Sequence, residues 1–311
     1  MDDSGLMPGD VDLDVTHSAI NFKDGLAITG ERPVVRRFPM IPGVDLAGRV
    51  TRSSHPDFKA GDSVVATGCG IGESHYGGFA EKARLSGAWL THLPEGLTPA
   101  RAMTAGTAGL TAMFCVLALE RHGLTPAEGP AIVTGAAGGV GSFAVALLAR
   151  AGWRVAAVTG RESEAAYLRQ LGASDILPRE AFAAPGKMLQ EQKFAAGIDA
   201  VGGVTLANLL AQTRCDGAIA ACGNVGGMDL PTSVAPFILR GVSLLGIESV
   251  RPRIALRREA WARLARDLDP ALIDAMQETV PFDQALAKAR TIVRGGIRGR
   301  AVIEMPIARA P

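Results

Sequence analysis

The chain has few of the residues that build disulfide or metal folds. Only four cysteines, Cys69, Cys115, Cys215 and Cys222, occur in 311 residues. Cys215 and Cys222 alone lie close together, and no CxxC or Cys/His ladder is present. The thiols therefore read as reduced and structural, as in a cytoplasmic protein. His17, His55, His75, His92 and His122 are scattered, without Cys or Glu at ligand spacing. Cys69 and His75 make one pair, but two ligands do not make a zinc site, so no metal is expected. An excess of either charge is missing too. Lys and Arg total 32 against 31 Asp and Glu, a formal net charge of +1, which gives nucleic acid or an anionic membrane no global attraction. Apolar runs such as Ala144–Leu148 and Val155–Val158 are too short to cross a bilayer. The acidic start, MDDSGLMPGD, lacks a basic and then apolar leader pattern, and neither repeats nor low-complexity linkers appear. The remaining partner class is a small molecule.

The sequence does have the composition of a soluble globular protein, 48% hydrophobic and 20% charged, with room for one large domain or two ordinary ones. Its 38 glycines exceed ordinary usage and point to tight turns and close backbone approaches. From Pro130 onward short apolar runs alternate with helix-period stretches. Strands are expected at Ala131–Thr134, Arg154–Thr159, Asp175–Leu177, Gly197–Val201 and Ala218–Ala221. Helices are expected at Val140–Ala151, Glu164–Leu171, Lys187–Gln192 and Leu206–Gln212. Strands separated by helices require right-handed crossovers and a parallel sheet covered on both faces, an α/β doubly wound domain. The first hundred residues are crowded with turn signals and carry short strands at Leu46–Arg52, Asp62–Thr67 and Gly78–Arg84, a mostly β domain. After about Glu259 come two helices, the second at Phe282–Val293, and a strand at Arg300–Glu304. The chain is expected to leave the β domain near residue 104, build the doubly wound domain over residues 105–240, and return over residues 241–311.

Thr134–Gly141 reads TGAAGGVG and sits between the first strand and helix of that domain. Glycines there admit a pyrophosphate close to the backbone, at a helix N-terminus rich in unpaired N–H groups. Ala137, Gly138, Gly139 and Val140 are the expected contacts. The spacing is GxxGGxG rather than GxGxxG, so the flanking strand–helix–strand pattern carries the reading, and a ligand-free turn is the alternative. The second strand ends in Thr159-Gly160-Arg161, with no acid at its terminus to hold a ribose 2′-hydroxyl. Arg161 instead offers forked donors to a 2′-phosphate, which favours NADPH, although Glu162 follows it directly.

Further segments carry a resemblance: Asn21–Asp24 (NFKD), Arg36–Gly48 (RRFPMIPGVDLAG), Gly106–Met113 (GTAGLTAM), Ser243–Ser249 (SLLGIES) and Ile297–Arg300 (IRGR). With Thr134–Gly141, these make the chain resemble the medium-chain dehydrogenase/reductase superfamily over nearly its whole length. The branch is the zinc-independent quinone oxidoreductases, and within it the YhdH/AcuI-like acrylyl-CoA reductases. The resemblance implies a Rossmann domain inserted in a mostly β GroES-like catalytic domain. It also implies a homodimer paired through the edge strand at Ser243–Ser249, with Leu245 touching the cofactor. Relatives carry about one more strand before the stretch aligned with Met1–Gly9, so an unpaired sheet edge is expected here.

By the same resemblance Asn21 and Phe22 line the nicotinamide end, with Asp24 and Asp45 nearby. Asn21 is read as an amide donor to the substrate carbonyl. Asp24 is read as holding Lys23 or its loop, and Asp45 as a site residue or only a strand-turn residue. Relatives often carry Tyr where Phe22 stands, so this ring packs on the nicotinamide and donates no proton. Thr107 and Thr111 are expected to give hydroxyl contacts to the cofactor, and Asn224 to touch the nicotinamide ribose or carboxamide. Arg32, Arg36, Arg37, Arg251, Arg253, Arg298 and Arg300 are the cations available to coenzyme A phosphates. No Ser/His/Asp or Cys/His set is present, so the chemistry rests on orientation, exclusion of water and hydrogen bonds to a developing oxyanion. The expected reaction is NADPH-dependent reduction of an activated carbon–carbon double bond, with acrylyl-CoA the substrate implied by the resemblance. Hydride goes to the β-carbon and a proton to the α-carbon. Reduction of a quinone or enone is the nearest alternative, and a non-catalytic NADPH-binding redox sensor is the alternative of another class.

Overall fold

The computed structural model describes residues 5–306. Met1–Ser4, the head of the stretch before which an extra strand is expected in relatives, lie outside the described residues. The chain divides into two compact units, the first running through Ala108 and resuming at Val250, the second spanning Gly109–Ser249. These boundaries fall later than residues 104 and 240. Thr107 is held by Asp45 of the first unit, and the strand at Ser243–Gly246 pairs with the second unit's sheet.

In the first unit, β1 (Val11–Ile20) leads directly into α1 (Phe22–Thr29). There follow β2 (Asp45–Ser53), β3 (Ser63–Thr67), β4 (Lys82–Leu85) and β5 (Leu90–His92). Next comes α2 (Pro99–Arg121), which carries the chain into the second unit. That unit contains β6 (Ala131–Val133), α3 (Gly139–Arg150), β7 (Val155–Thr159), α4 (Ala165–Gln170) and β8 (Ala173–Pro178). It continues with β9 (Phe194–Asp199), α5 (Gly203–Gln212), β10 (Thr213–Ala221), α6 (Ala235–Arg240) and β11 (Ser243–Gly246). The first unit then closes with α7 (Ile254–Asp267), α8 (Pro270–Ala275), β12 (Gln277–Pro281), α9 (Ala285–Ile292) and β13 (Arg300–Glu304).

The strands of the first unit form a seven-stranded mixed sheet ordered β12-β13-β1-β2-β3-β5, with β4 also paired to β1. In β1 the alternation of Val11, Leu13 and Val15 with polar residues buries one face, and these side chains join Leu46, Val64, Leu85 and Ile303 in the core. The second unit is a six-stranded parallel sheet ordered β11-β10-β9-β6-β7-β8. Its central strands β6, β7 and β9 are buried at every position, as a sheet covered on both faces requires. The doubly wound Rossmann domain and the mostly β domain that returns after it are both present, as the α/β reading expected.

Two local expectations need correction. Lys187–Gln192 is not helical. Its backbone is spent elsewhere, since Gln190 N donates to Ala211 O at 2.9 Å and Lys193 N to Gln212 O at 2.8 Å, bonds to the end of α5. The longest apolar element is also not among the short runs noted above. The helix α2 is long and apolar enough to cross a membrane, yet its most apolar window is mostly buried in protein. It is also interrupted, because Gly106 adopts φ 47° and ψ −149°, outside helical space.

Candidate active site

In the first unit the break in α2 is filled by an ion pair. Asp45, the first residue of β2, accepts from the Thr107 backbone N–H at 2.9 Å and from the Thr107 hydroxyl at 2.5 Å. It thereby caps the N-terminal end of the helix that resumes after Gly106. Arg300, the first residue of β13, donates Nε to Thr104 O at 2.9 Å, at the C-terminal end of the preceding helical segment. Its Nη2 lies 3.4 Å from Asp45 Oδ2, and both side chains are almost fully buried. A Cβ at Gly106 would collide with the Asp45 carboxylate and stand 2.9 Å from Arg300 Nη2, so the break must be glycine.

Asn21 completes the cluster. Its Nδ2 donates to Asp45 Oδ2 at 2.8 Å and to Ala19 O at 3.3 Å, while its Oδ1 accepts from Arg300 Nη1 at 3.0 Å. The amide is thus fixed in one orientation, with one strong donor bond and one long one. Asp24, three residues on in α1, accepts the Asn21 N–H at 2.8 Å and those of Gly43 and Val44 at 3.0 Å each. It therefore ties the segment before β2 to the start of α1. Burial pushes its carboxyl up to about 7, with Asp45 adding to the rise and the three N–H donors opposing it. Lys23 pairs not with Asp24 but with Glu73, at 2.8 Å. Burial lowers the Arg300 pKa, while Asp45 and Asp24 work to raise it.

Among the seven arginines available by type to coenzyme A phosphates, Arg300 stands apart. Every group it meets is internal, and it is buried, whereas Arg32, Arg36, Arg37, Arg251, Arg253 and Arg298 are exposed. Sequence alone does not separate a buried guanidinium from a solvated one. The signal available was its place at the head of RAVIE, whose next three residues are all buried. Phe22 is half-buried at the first position of α1.

In the second unit β6 delivers the chain to the glycine turn, and α3 starts at Gly139 with Gly138 as its N-cap. A Cβ at Gly141 would strike Gly135 O and lie 2.6 Å from Ala136 Cα, so the helix packs directly on the turn. Ser142 donates to Gly138 O at 2.8 Å and accepts from Tyr167 OH at 2.9 Å, holding the turn from behind. Thr134 donates to Asp199 Oδ1 at 2.6 Å, fixing the ends of β6 and β9 to each other. Burial raises the Asp199 pKa, opposed by the Thr134 hydroxyl and the Gly202 N–H. The first turn of α3, starting at Gly139, has N–H groups without an intrahelical partner, as every helix N-terminus does, which suits a pyrophosphate.

At the end of β7, Thr159 Oγ1 accepts from Arg161 N at 3.1 Å, and Arg161 Nη2 donates to Ala137 O at 3.1 Å. Arg161 is therefore drawn against the glycine turn. A second cation stands beside it that sequence reading did not identify. Arg179, just after β8, lays its guanidinium over Gly160, so that a Cβ built there would stand 2.7 Å from Arg179 Cζ. The signal was an arginine at the end of the next parallel strand, where this fold presents ligand contacts. Asn224 follows β10 and donates to Met228 Sδ at 2.7 Å. Leu245 lies on β11, half-buried, and Thr111 is buried within α2. Burial pushes the Cys115 thiol well up, with the Cys222 thiol adding to the rise, while Cys222 Sγ donates to Asp199 O at 3.3 Å.

Cys69 and His75 each meet other groups. Arg257 Nη2 donates to Cys69 Sγ at 3.4 Å, whereas His75 Nε2 lies 3.0 Å from Pro8 O. Among the described residues no three His, Cys, Asp or Glu side chains gather as a metal-holding group.

Residues 7–95 match the family described as alcohol dehydrogenase GroES-like domain, and residues 139–266 the family described as zinc-binding dehydrogenase. The acrylyl-CoA reductase AcuI of Ruegeria pomeroyi is 47% identical over 301 residues, covering 96% of this chain and 91% of the relative. The yhdH oxidoreductase of Salmonella enterica, solved in complex with NADP, superposes with a TM-score of 0.97 at 49% identity, covering 98% of this chain and 94% of that one. The yhfP protein of Bacillus subtilis, solved with NAD bound, superposes with a TM-score of 0.94 at 40% identity, covering 98% and 93%. The chain belongs to the medium-chain dehydrogenase/reductase superfamily and, within it, to the AcuI/YhdH family.

Proposed function

We propose that the protein is an NADPH-dependent reductase of activated carbon–carbon double bonds, with acrylyl-CoA as substrate and propionyl-CoA as product. The observation that carries this reading is the near-full-length likeness to an acrylyl-CoA reductase, and the contact of Arg161 with the glycine turn and the Asn21–Asp45 hydrogen bond support it. When bound, NADPH would supply a hydride to the β-carbon of the enoyl thioester and leave as NADP+, with a proton from solvent completing the α-carbon. The turn from Ala137 to Val140 holds the pyrophosphate. Arg161 and Arg179 hold the 2′-phosphate from two sides of Gly160, which selects NADPH over NADH.

On the substrate side, charge grows on the thioester oxygen as the hydride arrives. Asn21 is the donor for it, because its bond to Ala19 O is long at 3.3 Å and yields more readily than the 2.8 Å bond to Asp45. Asp45 and Arg300 keep that amide from flipping, and Asp24 keeps α1 and the segment before β2 in register. In the second unit Thr111 and Asn224 contact the nicotinamide end of the cofactor.

The protein acts in the cytoplasm as a homodimer. The edge strand β11 presents half-buried Leu244 and Leu245, and the segment leading into it exposes Val234, Ile238 and Leu239. Steady-state kinetics with NADPH against acrylyl-CoA and a simple quinone test the reading. Faster turnover of the quinone would replace the substrate assignment, and no turnover of either would leave an NADPH-binding protein without this activity.

A further inference from the structure

The segment between α1 and β2 is rooted at both ends in the Asn21–Asp45 cluster, yet its middle turns outward. Gly30 closes α1 in the left-handed conformation, and Gly43 and Val44 are tied to the Asp24 carboxylate. Between these anchors Arg36, Arg37 and Phe38 are all exposed. Phe38 is 80% exposed, more than any other large hydrophobic side chain among the described residues. A phenyl ring in water beside two guanidiniums has an obvious complement, a flat base carrying phosphates.

The arginines are not neutralised by their surroundings. Arg36 N donates to Glu73 O at 2.7 Å, which brings Glu73 close by, but the Glu73 carboxylate is taken by Lys23 at 2.8 Å. Among the described residues no carboxylate lies within ion-pair distance of Arg36 or Arg37. Unpaired guanidiniums present forked donors suited to a phosphate. The distance is also suitable. Phe38 stands seven positions before Asp45, with six residues between them, a stretch that spans at most about 25 Å when extended. A coenzyme A thioester needs such a stand-off, because its pantetheine arm holds the nucleotide well away from the reacting carbons.

We propose that Arg36, Arg37 and Phe38 form the binding site for the nucleotide end of the acyl-CoA substrate. Phe38 stacks on the adenine, and the two arginines pair with the 3′-phosphate and diphosphate. This rests on the reading of an acyl-CoA substrate above. It separates the cations that meet the substrate from Arg300, which does not.

The test compares acrylyl-CoA with S-acrylyl-pantetheine, which keeps the reacting group and lacks the nucleotide. The wild type is expected to favour the CoA ester by KM. The triple variant R36A/R37A/F38A raises the KM for acrylyl-CoA on the order of a hundredfold. The KM for S-acrylyl-pantetheine and for NADPH stays unchanged, which also shows that the variant is folded. As a binding readout, CoA inhibits the wild type more strongly than dephospho-CoA, and the triple variant does not distinguish them. An unchanged preference in the variant overturns the site and leaves the enzyme reading intact, as does equal loss toward both thioesters. A variant that changes only the oligomeric state also overturns it, assigning Phe38 to a contact with a second copy. No turnover of either thioester by the wild type overturns the substrate reading and this site together.

Discussion

Asp45 and Arg300 meet inside the break of one helix, Asp45 at the start of the resumed segment and Arg300 at the end of the preceding one, with Nη2 3.4 Å from Oδ2. Each charge thus opposes the helix end it faces, and the pair also fixes the Asn21 amide. One buried pair thus joins the helix break to the candidate site.

Removing one partner strands the other in a dry interior. Arg300→Met should lower stability by about 3–5 kcal/mol, read from the urea midpoint and slope. Arg300→Lys should recover little of it, because one ammonium cannot reach Thr104 O, Ile20 O, Asn21 Oδ1 and Asp45 together. A loss below about 1 kcal/mol for the Met variant would show that the pair contributes little.

Asp24 makes stability depend on pH. Its carboxyl is raised from 3.8 to about 7 in the folded protein, so the folded state holds this proton more tightly than the unfolded chain. Its contribution is complete below the unfolded value and is lost as pH rises through about 7. The loss amounts to about 4 kcal/mol over that window. The difference in unfolding free energy between the wild type and Asp24→Asn, measured at pH 5 and pH 8, should move against the wild type at the higher pH. A difference that is flat with pH contradicts the assignment.

Cofactor choice should follow the two arginines around Gly160. Arg161→Ala and Arg179→Ala should each weaken NADPH binding by about 10- to 100-fold, the scale of a hydrogen bond to a charged group. NADH binding should change less than about twofold, since it lacks the 2′-phosphate that these charges serve. Equal losses for both nucleotides, by fluorescence titration, would remove the role from whichever arginine behaves so.

The exposed face leading into β11 predicts association. Ile238→Asp places a charge among Val234, Leu239 and the edge strand, and should convert a dimer into a monomer by sedimentation at micromolar concentration. A wild type that is already monomeric at that concentration contradicts the dimer.

The doubly wound order was legible because the central strands β6, β7 and β9 are short runs buried at every position, bounded by glycine and helix-period stretches. Lys187–Gln192 misled because its composition suits a helix, while its backbone bonds go to α5, which only tertiary structure supplies. β1 alternates plainly over Val11, Leu13 and Val15 but was passed over among the surrounding turn signals. Asn21, Asp24 and Asp45 were marked by resemblance, and the structure gathers them around Arg300. Arg300 itself had been grouped with the solvated arginines, because residue type alone does not reveal burial. Arg179 was missed for a related reason: its proximity to Gly160 arises from strand order, not from spacing along the chain.

The most direct test of the central claim is kcat/KM for NADPH oxidation with acrylyl-CoA measured beside a simple quinone. The account predicts a clear preference for acrylyl-CoA with release of propionyl-CoA, and loss of that preference on removing the nucleotide from the thioester. Preferential turnover of the quinone, or binding of NADPH with no turnover of either, would contradict it.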